Sequence, residues 1–148
     1  MSETVIRPLA AADAPSWRTM WQHYLEFYEQ ELAPEVTDTL FKRLLSQGFH
    51  EALVAERDGE LVGFVHFLFH DSTWSVEQVC YLEDLYVNLA VRGGGVGRKL
   101  IEAVYAAADA APTASGKVYW HTNQNNDRAR LLYDRIGTLS DYVRYERS

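Results

Sequence analysis

The sequence is short of cysteine, of long apolar segments and of basic residues. Cys80 is the single cysteine among 148 residues, so the chain cannot form an internal disulfide. No apolar run approaches the ~20 residues that span a bilayer, and the N-terminus lacks the pattern of a signal peptide. Lysine and arginine number 14 against 21 acidic residues, and the net charge of −7 argues against binding to a nucleic-acid backbone. We therefore expect a cytoplasmic protein with neither nucleic acid nor membrane as a partner.

The composition is that of a folded domain. Apolar residues make up 47% of the chain, which provides enough side chains for a packed core. A chain of this length can bury about 70% of the surface that its unfolded form exposes. The sequence contains no internal repeat, low-complexity tract or linker. We therefore expect one domain over residues 1–148.

Hydrophobic periodicity and turn residues predict a mixed α/β chain. The Asp58-Gly59 pair is typical of a hairpin turn between two strands. The predicted elements are a strand over Thr4–Arg7, helices over 14–31 and after Pro34, strands over Ala52–Arg57, Glu60–Phe69 and 80–87, a helix over 97–111, a strand over 117–122, a helix over 126–136 and a last strand near 141–147.

A glycine-rich loop is the most informative segment. Arg92-Gly93-Gly94-Gly95-Val96-Gly97-Arg98 follows the strand-like run 80–87 and precedes a helix-like run. The first N–H groups of a helix have no internal acceptor, and the helix dipole makes that end partly positive. Four glycines in five residues cost backbone entropy. We therefore interpret the loop as a site where backbone N–H groups approach a pyrophosphate, the alternative being a flexible surface turn.

The spacing within this loop excludes two nucleotide-binding motifs. A nucleotide-triphosphate P-loop needs Lys-Ser/Thr after its last glycine, whereas Arg98-Lys99 follows Gly97. The dinucleotide pattern G-x-G-x-x-G would need glycine at position 98 or 100, where arginine and leucine stand. The pattern that fits is Arg-x-x-Gly-x-Gly, formed by Arg92, Gly95 and Gly97.

A second motif follows in the predicted helix 126–136. Asn126, Ala129, Tyr133 and Gly137 have the spacing N-x-x-A-x-x-x-Y-x-x-x-G. Asparagine is a good N-cap, and glycine is typical of a helix C-terminus. By periodicity alone, Tyr133 could be an ordinary core aromatic.

The two motifs, in this order, resemble those of the GNAT superfamily of N-acetyltransferases. The resemblance covers roughly residues 51–147, and three further segments are similar to the branch that acetylates histone tails and polyamines, which includes the diamine acetyltransferases. These segments are Gly63–Phe67, Tyr81–Val87 and Val118–Thr122.

The resemblance implies a fold, a cosubstrate and a binding site. The fold would be a central, mostly antiparallel sheet, flanked by helices, with a V-shaped opening between two parallel strands. The cosubstrate would be acetyl-coenzyme A (acetyl-CoA), and Tyr133 would lie beside its sulfur and protonate the leaving thiolate. The residues expected to bind the cofactor are Leu85, Tyr86, Val87, Arg92, Gly93, Gly94, Gly95, Val96, Gly97, Arg98, Asn126, Arg128 and Tyr133.

Charge distribution points to a cationic acceptor. Five acidic residues and no lysine or arginine lie between Glu26 and Asp38, whereas residues 92–130 contain six basic residues against three acidic ones. A basic half suits the phosphates of coenzyme A, and an acidic half suits an amine. We therefore place Glu26 and Tyr28 at the acceptor site. The alternative is that the acidic stretch is only a solvated helix end and loop.

Two adjacent carboxylates, Glu83 and Asp84, are the candidates for chemistry on the amine. We interpret Glu83 as the general base and Asp84 as the amine-binding anion, although the two roles could be exchanged. In a regular strand these side chains point to opposite faces, unless a bulge intervenes. The alternative is that at least one of them pairs with an arginine for structural reasons.

Other candidates carry less weight. Cys80 could accept an acyl group, but no base is identifiable beside it, and a buried small side chain is the simpler interpretation. His66 and His70 would be ~13 Å apart along a strand, too far to share one metal ion, so we predict no metal. The aromatic stripe from Trp17 to Tyr28 could be core, ligand site or a patch for dimer formation.

The sequence therefore predicts an N-acetyltransferase that transfers acetyl directly to a primary amine, such as a polyamine, a lysine side chain or another small amine. The substrate would be a small molecule or a peptide, and we expect a homodimer or a higher homo-oligomer. One alternative is an acyl-CoA-binding regulatory domain without turnover. Another is an interaction module without coenzyme A affinity.

Overall fold

The structure is a computed structural model that describes residues 3–46 and 48–147. Its strands are β1 (Thr4–Pro8), β2 (His50–Arg57), β3 (Glu60–Ser72), β4 (Ser75–Val87) and β5 (Ala114–Tyr119), and its helices are α1 (Ala14–Phe27), α2 (Pro34–Leu45), α3 (Val96–Ala110) and α4 (Asp127–Ile136). Single 3₁₀ turns precede α1 and follow β4. No helix among the described residues is both long and apolar enough to cross a membrane.

The five strands form one mixed sheet in the order β1-β2-β3-β4-β5. The first three pairings are antiparallel, and β4 and β5 run parallel. That parallel pairing reaches only Tyr81 opposite Tyr119, whereas β4 continues to Val87. β5 ends there, so beyond Tyr81 the rest of β4 has no parallel partner among the described residues, and the predicted sheet with a V-shaped opening is confirmed.

Each face of the sheet is covered by different helices. Alternate residues of β3 point to opposite faces, so Val65 and Phe67 pack with α3, while Phe64 packs with α1 and α2. The α3 side buries Leu100 and Ile101 completely. The α1 side is rich in aromatic rings, with Trp17, Trp21 and Phe41 around Phe64.

A β-bulge interrupts β4 at the two carboxylates. His66 of β3 pairs with Asp84, and the next residue, Phe67, pairs with Leu82. Glu83 is therefore the extra residue on β4, and the alternation of side chains shifts there. Leu82 and Leu85 both pack with the α3 core. Glu83 and Asp84 consequently lie together on the α1 face rather than on opposite faces.

The last predicted strand is wrong. The described residues 138–147 have no regular structure, and Tyr142, Val143 and Tyr145 are 81%, 77% and 92% exposed. Their apolar pattern favours an extended chain locally, but a strand also needs a neighbour that supplies N–H and C=O groups. In this segment the described backbone has no such neighbour, and its side chains bury little apolar surface.

Smaller differences concern element ends. The helix predicted over 14–31 ends at Phe27, because the chain turns there and Glu29 adopts a left-handed conformation with φ of 54°. The strand predicted over 117–122 lies instead at Ala114–Tyr119, where β4 provides its hydrogen-bonding partners.

Candidate functional site

A cavity of about 440 Å³ lies where the glycine loop, the end of β4, the end of α1 and α4 meet. Its wall includes most of the residues that the sequence predicts for the cofactor, together with Tyr28. The lining residues are Tyr24, Phe27, Tyr28, Leu85, Tyr86, Val87, Arg92, Gly93, Gly95, Val96, Gly97, Arg98, Asn126, Arg128, Ala129, Leu131, Leu132, Tyr133 and Arg135. Gly94 is outside this wall, since a Cβ there would face Val91 and Arg57.

The glycine loop presents the start of α3 to this cavity. Gly93 and Gly95 have φ values of 88° and 84°, which favour glycine, and Gly95 is the N-cap of α3. Lys99 N–H donates to Gly95 O at 3.0 Å. The N–H groups of residues 96–98 precede Lys99, the first donor of the helical hydrogen-bond ladder, and have no acceptor of their own within the helix. The cavity is therefore lined by backbone donors at the positive end of a helix dipole.

Among the described residues, four arginines and no carboxylate line the cavity. Arg92 is held in place, because its Nε donates to Val87 O at 3.2 Å and its guanidinium lies 5.9 Å from the ring centre of Phe27. Arg98 has a loose ion pair with Glu102 at 3.5 Å. The arrangement fits a ligand that carries several negative charges, such as the phosphates of coenzyme A.

Sequence reasoning missed Arg135. It lies seven residues after Arg128, which is two helical turns, so both side chains can reach the same cavity. The seven-residue spacing of Arg128 and Arg135 could therefore have identified Arg135 from the sequence.

Tyr133 stands on α4 at the cavity wall. Asn126 caps this helix, since its Oδ1 accepts from Ala129 N–H at 3.5 Å. The Tyr133 ring meets Trp120 edge-on, with centres 5.5 Å apart. Burial, and then the proximity of Tyr28, raise the pKa of Tyr133 to about 12. The phenol therefore keeps its proton at neutral pH and can act as a donor.

The raised pKa of Tyr133 predicts a loss of stability at alkaline pH. The folded state holds this proton more tightly than the unfolded chain, whose tyrosines have a pKa of about 10. The stabilisation is complete below pH ~10 and is lost as the pH rises toward 12, about 1.4 kcal/mol of it by pH 11. Thermal melts at pH 9 and pH 11 should show a smaller decrease in Tm for Tyr133→Phe than for the unmodified chain. Tyr145→Phe, which removes a phenol that is 92% exposed, is the control and should behave like the unmodified chain. Equal decreases in all three would contradict the prediction.

A buried hydrogen-bonded chain lies between the cavity and the core. Trp17 Nε1–H donates to His66 Nε2 at 3.1 Å, and His66 Nδ1 lies 3.0 Å from Asp84 Oδ2. The Tyr24 hydroxyl donates to Asp84 Oδ1 at 2.9 Å. Trp17 and His66 are 0% and 1% exposed. Asp84 is thus a partly buried carboxylate, 17% exposed, beside Tyr24, which itself lines the cavity.

Glu83 has a different environment. Its side chain is 43% exposed, and Oε1 lies 3.6 Å from His50 Nε2. It also lies near Tyr81, whose pKa is raised first by burial and then by the charge of Glu83. Of the two adjacent carboxylates, Asp84 is held by two strong donors, whereas Glu83 has weak contacts only.

Of the two other residues predicted for the acceptor site, Tyr28 lines the cavity and Glu26 lies on the surface. Tyr28 contacts Tyr24 edge-on at 4.9 Å, and burial is the main cause of its raised pKa. Glu26 is exposed and accepts from Gln22 Nε2 at 3.3 Å. It lies two residues after Tyr24, roughly 200° further around α1. The structure therefore does not bring Glu26 to the cavity.

The aromatic stripe on α1 serves two purposes. Trp17 and Trp21 are buried in the core, at 0% and 7% exposed, whereas Tyr24 and Tyr28 line the cavity. The sequence could not separate these, because all four residues share one helical face.

The other candidates are structural. Cys80 is fully buried, and burial raises the pKa of its thiol to about 12, so it is not a nucleophile at neutral pH. His70 Nε2 bonds the Tyr119 hydroxyl at 2.7 Å, while His66 belongs to the chain around Asp84. Within residues 3–46 and 48–147, no group of three or more histidine, cysteine or acidic side chains could hold a metal ion.

Comparisons with known proteins agree with this geometry. The sequence profile of the acetyltransferase (GNAT) family matches residues 17–138. The D-amino-acid N-acetyltransferase HPA3 of Saccharomyces cerevisiae is 39% identical over 147 residues, which is 97% of this chain and 90% of the yeast protein. The thialysine N-epsilon-acetyltransferase of Mus musculus is 32% identical over 121 residues, covering 73% of this chain and 69% of that protein.

Solved structures show the same fold. The ribosomal-protein-alanine N-acetyltransferase from Brucella melitensis biovar Abortus 2308 has a TM-score of 0.83 and 25% identity over 99% of both chains. The aminoglycoside N-acetyltransferase AAC(6')-Iy in complex with CoA has a TM-score of 0.82 and covers 100% of this chain and 96% of its own. At 18% identity, the second likeness concerns the fold alone. The chain therefore belongs to the acetyltransferase (GNAT) family, and the prediction that it is an N-acetyltransferase is confirmed.

Proposed function

We propose that this enzyme transfers an acetyl group from acetyl-CoA directly to a primary amine of a small cationic acceptor. The observation that carries the proposal is the pairing of two sites of opposite charge. Four arginines and free helix N–H groups surround one cavity, and the partly buried carboxylate of Asp84 lies next to it, bonded to the cavity-lining Tyr24. The first site suits the phosphates of the donor, and the second suits the ammonium group of the acceptor.

The acceptor must lose a proton before it can attack. An alkyl amine with a pKa of about 10.4 is protonated at pH 7, and deprotonation costs about 4.6 kcal/mol. We assign amine binding to Asp84, because both of its oxygens already accept hydrogen bonds and hold the carboxylate in place. We assign proton removal to Glu83, directly or through water, because its carboxylate is 43% exposed and is held only by a long contact with His50.

The remaining chemistry falls to β4 and α4. A backbone N–H of residues 85–87 would stabilise the oxyanion of the tetrahedral intermediate, and this segment would also bind the pantetheine arm. Tyr133 would give its proton to the leaving thiolate. Its protonated state at neutral pH supports this role.

The Tyr133→Phe variant should turn over more slowly without a change in fold. A thiol has a pKa near 8.5, so the thiolate is already a tolerable leaving group, and we expect kcat to decrease about 10-fold. The KM for acetyl-CoA should change little, because the ring remains. Steady-state kinetics check this, and an unchanged kcat would remove Tyr133 from the mechanism.

The two candidate classes of acceptor are cationic amines and amino acids. Relatives include a thialysine N-epsilon-acetyltransferase, whose name indicates a side-chain amine, and a D-amino-acid N-acetyltransferase. Polyamines and lysine side chains offer an amine on a cationic molecule, which fits Asp84 and Glu83. Amino acids are the second candidate, favoured by the 39% identity with the yeast enzyme.

The deciding experiment is thiol release on mixing the protein, acetyl-CoA and a panel of amines. The panel should contain polyamines, N-acetyl-lysinamide, and L- and D-amino acids. Preference for the cationic amines supports the proposal, and preference for amino acids supports the second candidate. Binding of acetyl-CoA without thiol release across the panel would favour a regulatory domain instead.

We also propose a homodimer or a higher homo-oligomer, located in the cytoplasm. The oligomer is supported by the exposed apolar side chains of the C-terminal segment, including Leu139, Tyr142, Val143 and Tyr145. Sedimentation equilibrium checks the oligomeric state, and a monomer at all concentrations would contradict it.

A further inference from the structure

We propose that Trp17 and His66 are positioning residues that fix Asp84 and Tyr24 as the binding site for the acceptor's ammonium group. The inference rests on the proposed function, in which Asp84 binds the amine. It concerns two residues that lie behind the site, on α1 and β3, and that do not line the cavity.

The hydrogen bonds determine which nitrogen of His66 carries the proton. The indole N–H of Trp17 can only donate, so His66 Nε2 must accept from it at 3.1 Å. A charged imidazole would carry a hydrogen on Nε2 and would oppose the indole N–H. His66 is therefore neutral, with its hydrogen on Nδ1, and this hydrogen is donated to Asp84 Oδ2 at 3.0 Å.

Packing prevents the ring from turning to another arrangement. The His66 ring stacks on the Phe64 ring, with the ring centres 4.5 Å apart and 14° between the planes. The centre of the Trp21 ring lies 5.4 Å from that of His66. The side chain is 1% exposed, so water cannot replace either partner. Trp17 thus selects one tautomer, and that tautomer directs a donor at Asp84.

The fixed tautomer of His66 affects acceptor binding through Asp84 and Tyr24. Asp84 accepts from His66 on one oxygen and from the Tyr24 hydroxyl on the other, so its carboxylate plane is fixed. Because the Tyr24 hydrogen points to Asp84, its oxygen acts as an acceptor, and beside the bond with the Tyr28 hydroxyl a second lone pair can accept from an ammonium N–H. Asp84 and Tyr24 together then offer oxygen acceptors with a fixed geometry, before the amine arrives.

Two substitutions of His66 separate positioning from simple packing. His66→Asn places an amide N–H close to the position of Nδ1 and keeps the donor to Asp84. His66→Phe keeps a ring of similar shape and removes both hydrogen bonds. We expect His66→Phe to raise the KM for the amine at least ~10-fold with the KM for acetyl-CoA unchanged, and His66→Asn to recover most of that loss. Equal amine KM values in the unmodified chain and His66→Phe, or an equal rise in both KM values, would overturn the proposal.

A double-mutant cycle tests whether His66 acts through Asp84. If it does, His66→Phe should have little further effect on the amine kcat/KM once Asp84→Asn is present. Fully additive losses in the double variant would overturn the proposal.

Imidazole ¹⁵N spectra of the unmodified protein test the arrangement without any turnover. The expected result is an N–H on Nδ1 of His66 and none on Nε2. Hydrogen on Nε2 would overturn the proposal even if the variants fail to fold. Absence of thiol release from the unmodified enzyme with every amine counts against the proposed function instead, so the two failures are distinguishable.

Discussion

Replacing Asp84 by asparagine should reduce kcat/KM for the amine about 100-fold, since losing one partner of a desolvated charge pair costs 2–5 kcal/mol. The change removes the negative charge that would hold the ammonium group. The fold should survive, because the Tyr24 hydroxyl can rotate and accept from the new amide while His66 continues to donate to the remaining oxygen. Steady-state kinetics at saturating acetyl-CoA, with the amine varied, measure the effect.

Asp38→Asn is a matched control for this prediction. It also neutralises an aspartate, but on α2, where the carboxylate is 55% exposed and pairs with Arg18 at 2.8 Å. Its amine kcat/KM should match that of the unmodified enzyme, because exposed pairs contribute little. A similar loss in both variants would show that net charge, rather than Asp84, governs amine use. An unchanged amine kcat/KM in Asp84→Asn would show that other residues bind the amine.

The parts of the site that depend on short-range sequence could be predicted. The glycine loop and the α4 motif are recognised from turn and cap residues within a few positions of each other. Asn126 caps α4 as predicted, and Gly95, within the loop, is the N-cap of α3. Local chemistry determines such features, so they can be read without knowledge of the rest of the chain.

The parts that depend on register could not be predicted. Nothing near Glu83 in the sequence indicates a bulge, because the bulge is defined by how β3 pairs with β4. His66 lies opposite Asp84 for the same reason, and Trp17 reaches His66 across 49 positions of sequence. From the sequence alone, His66 could be considered only as a possible metal ligand. The exposed C-terminal segment is the converse case, where local pattern suggested a strand and the missing neighbour decided otherwise.

The β-bulge at Glu83 determines which face of the sheet the two carboxylates occupy. Without it, Asp84 would face α3 and its apolar core, where an unpaired carboxylate is costly. With it, Glu83 and Asp84 share the α1 face, while Leu85 returns to the α3 side. One extra residue in β4 therefore puts both carboxylates on the α1 face, where Asp84 bonds the cavity-lining Tyr24, while Leu82 and Leu85 keep their packing with α3.

The second large effect concerns the cofactor loop, where Gly95→Val should raise the Kd for acetyl-CoA at least ~10-fold. Gly95 lines the cavity with φ of 84°, and a Cβ there would meet no atom of residues 3–46 and 48–147 within 4 Å. A valine would therefore stand in the space that the diphosphate needs. It would also strain a left-handed backbone position by about 1–2 kcal/mol. Isothermal titration with acetyl-CoA and with desacetyl-CoA measures the affinity.

Gly59→Val separates that strain from the blocked cavity. Gly59 has φ of 78° in the turn between β2 and β3, again with no atom within 4 Å of a Cβ, but it lies outside the cavity. Both variants should lose similar free energy of unfolding, because both force a β-branched residue into the left-handed region. Only Gly95→Val should lose affinity for acetyl-CoA. Tight binding by Gly95→Val would mean that the loop does not hold the diphosphate, and equal losses of affinity in both variants would attribute the effect to backbone strain alone.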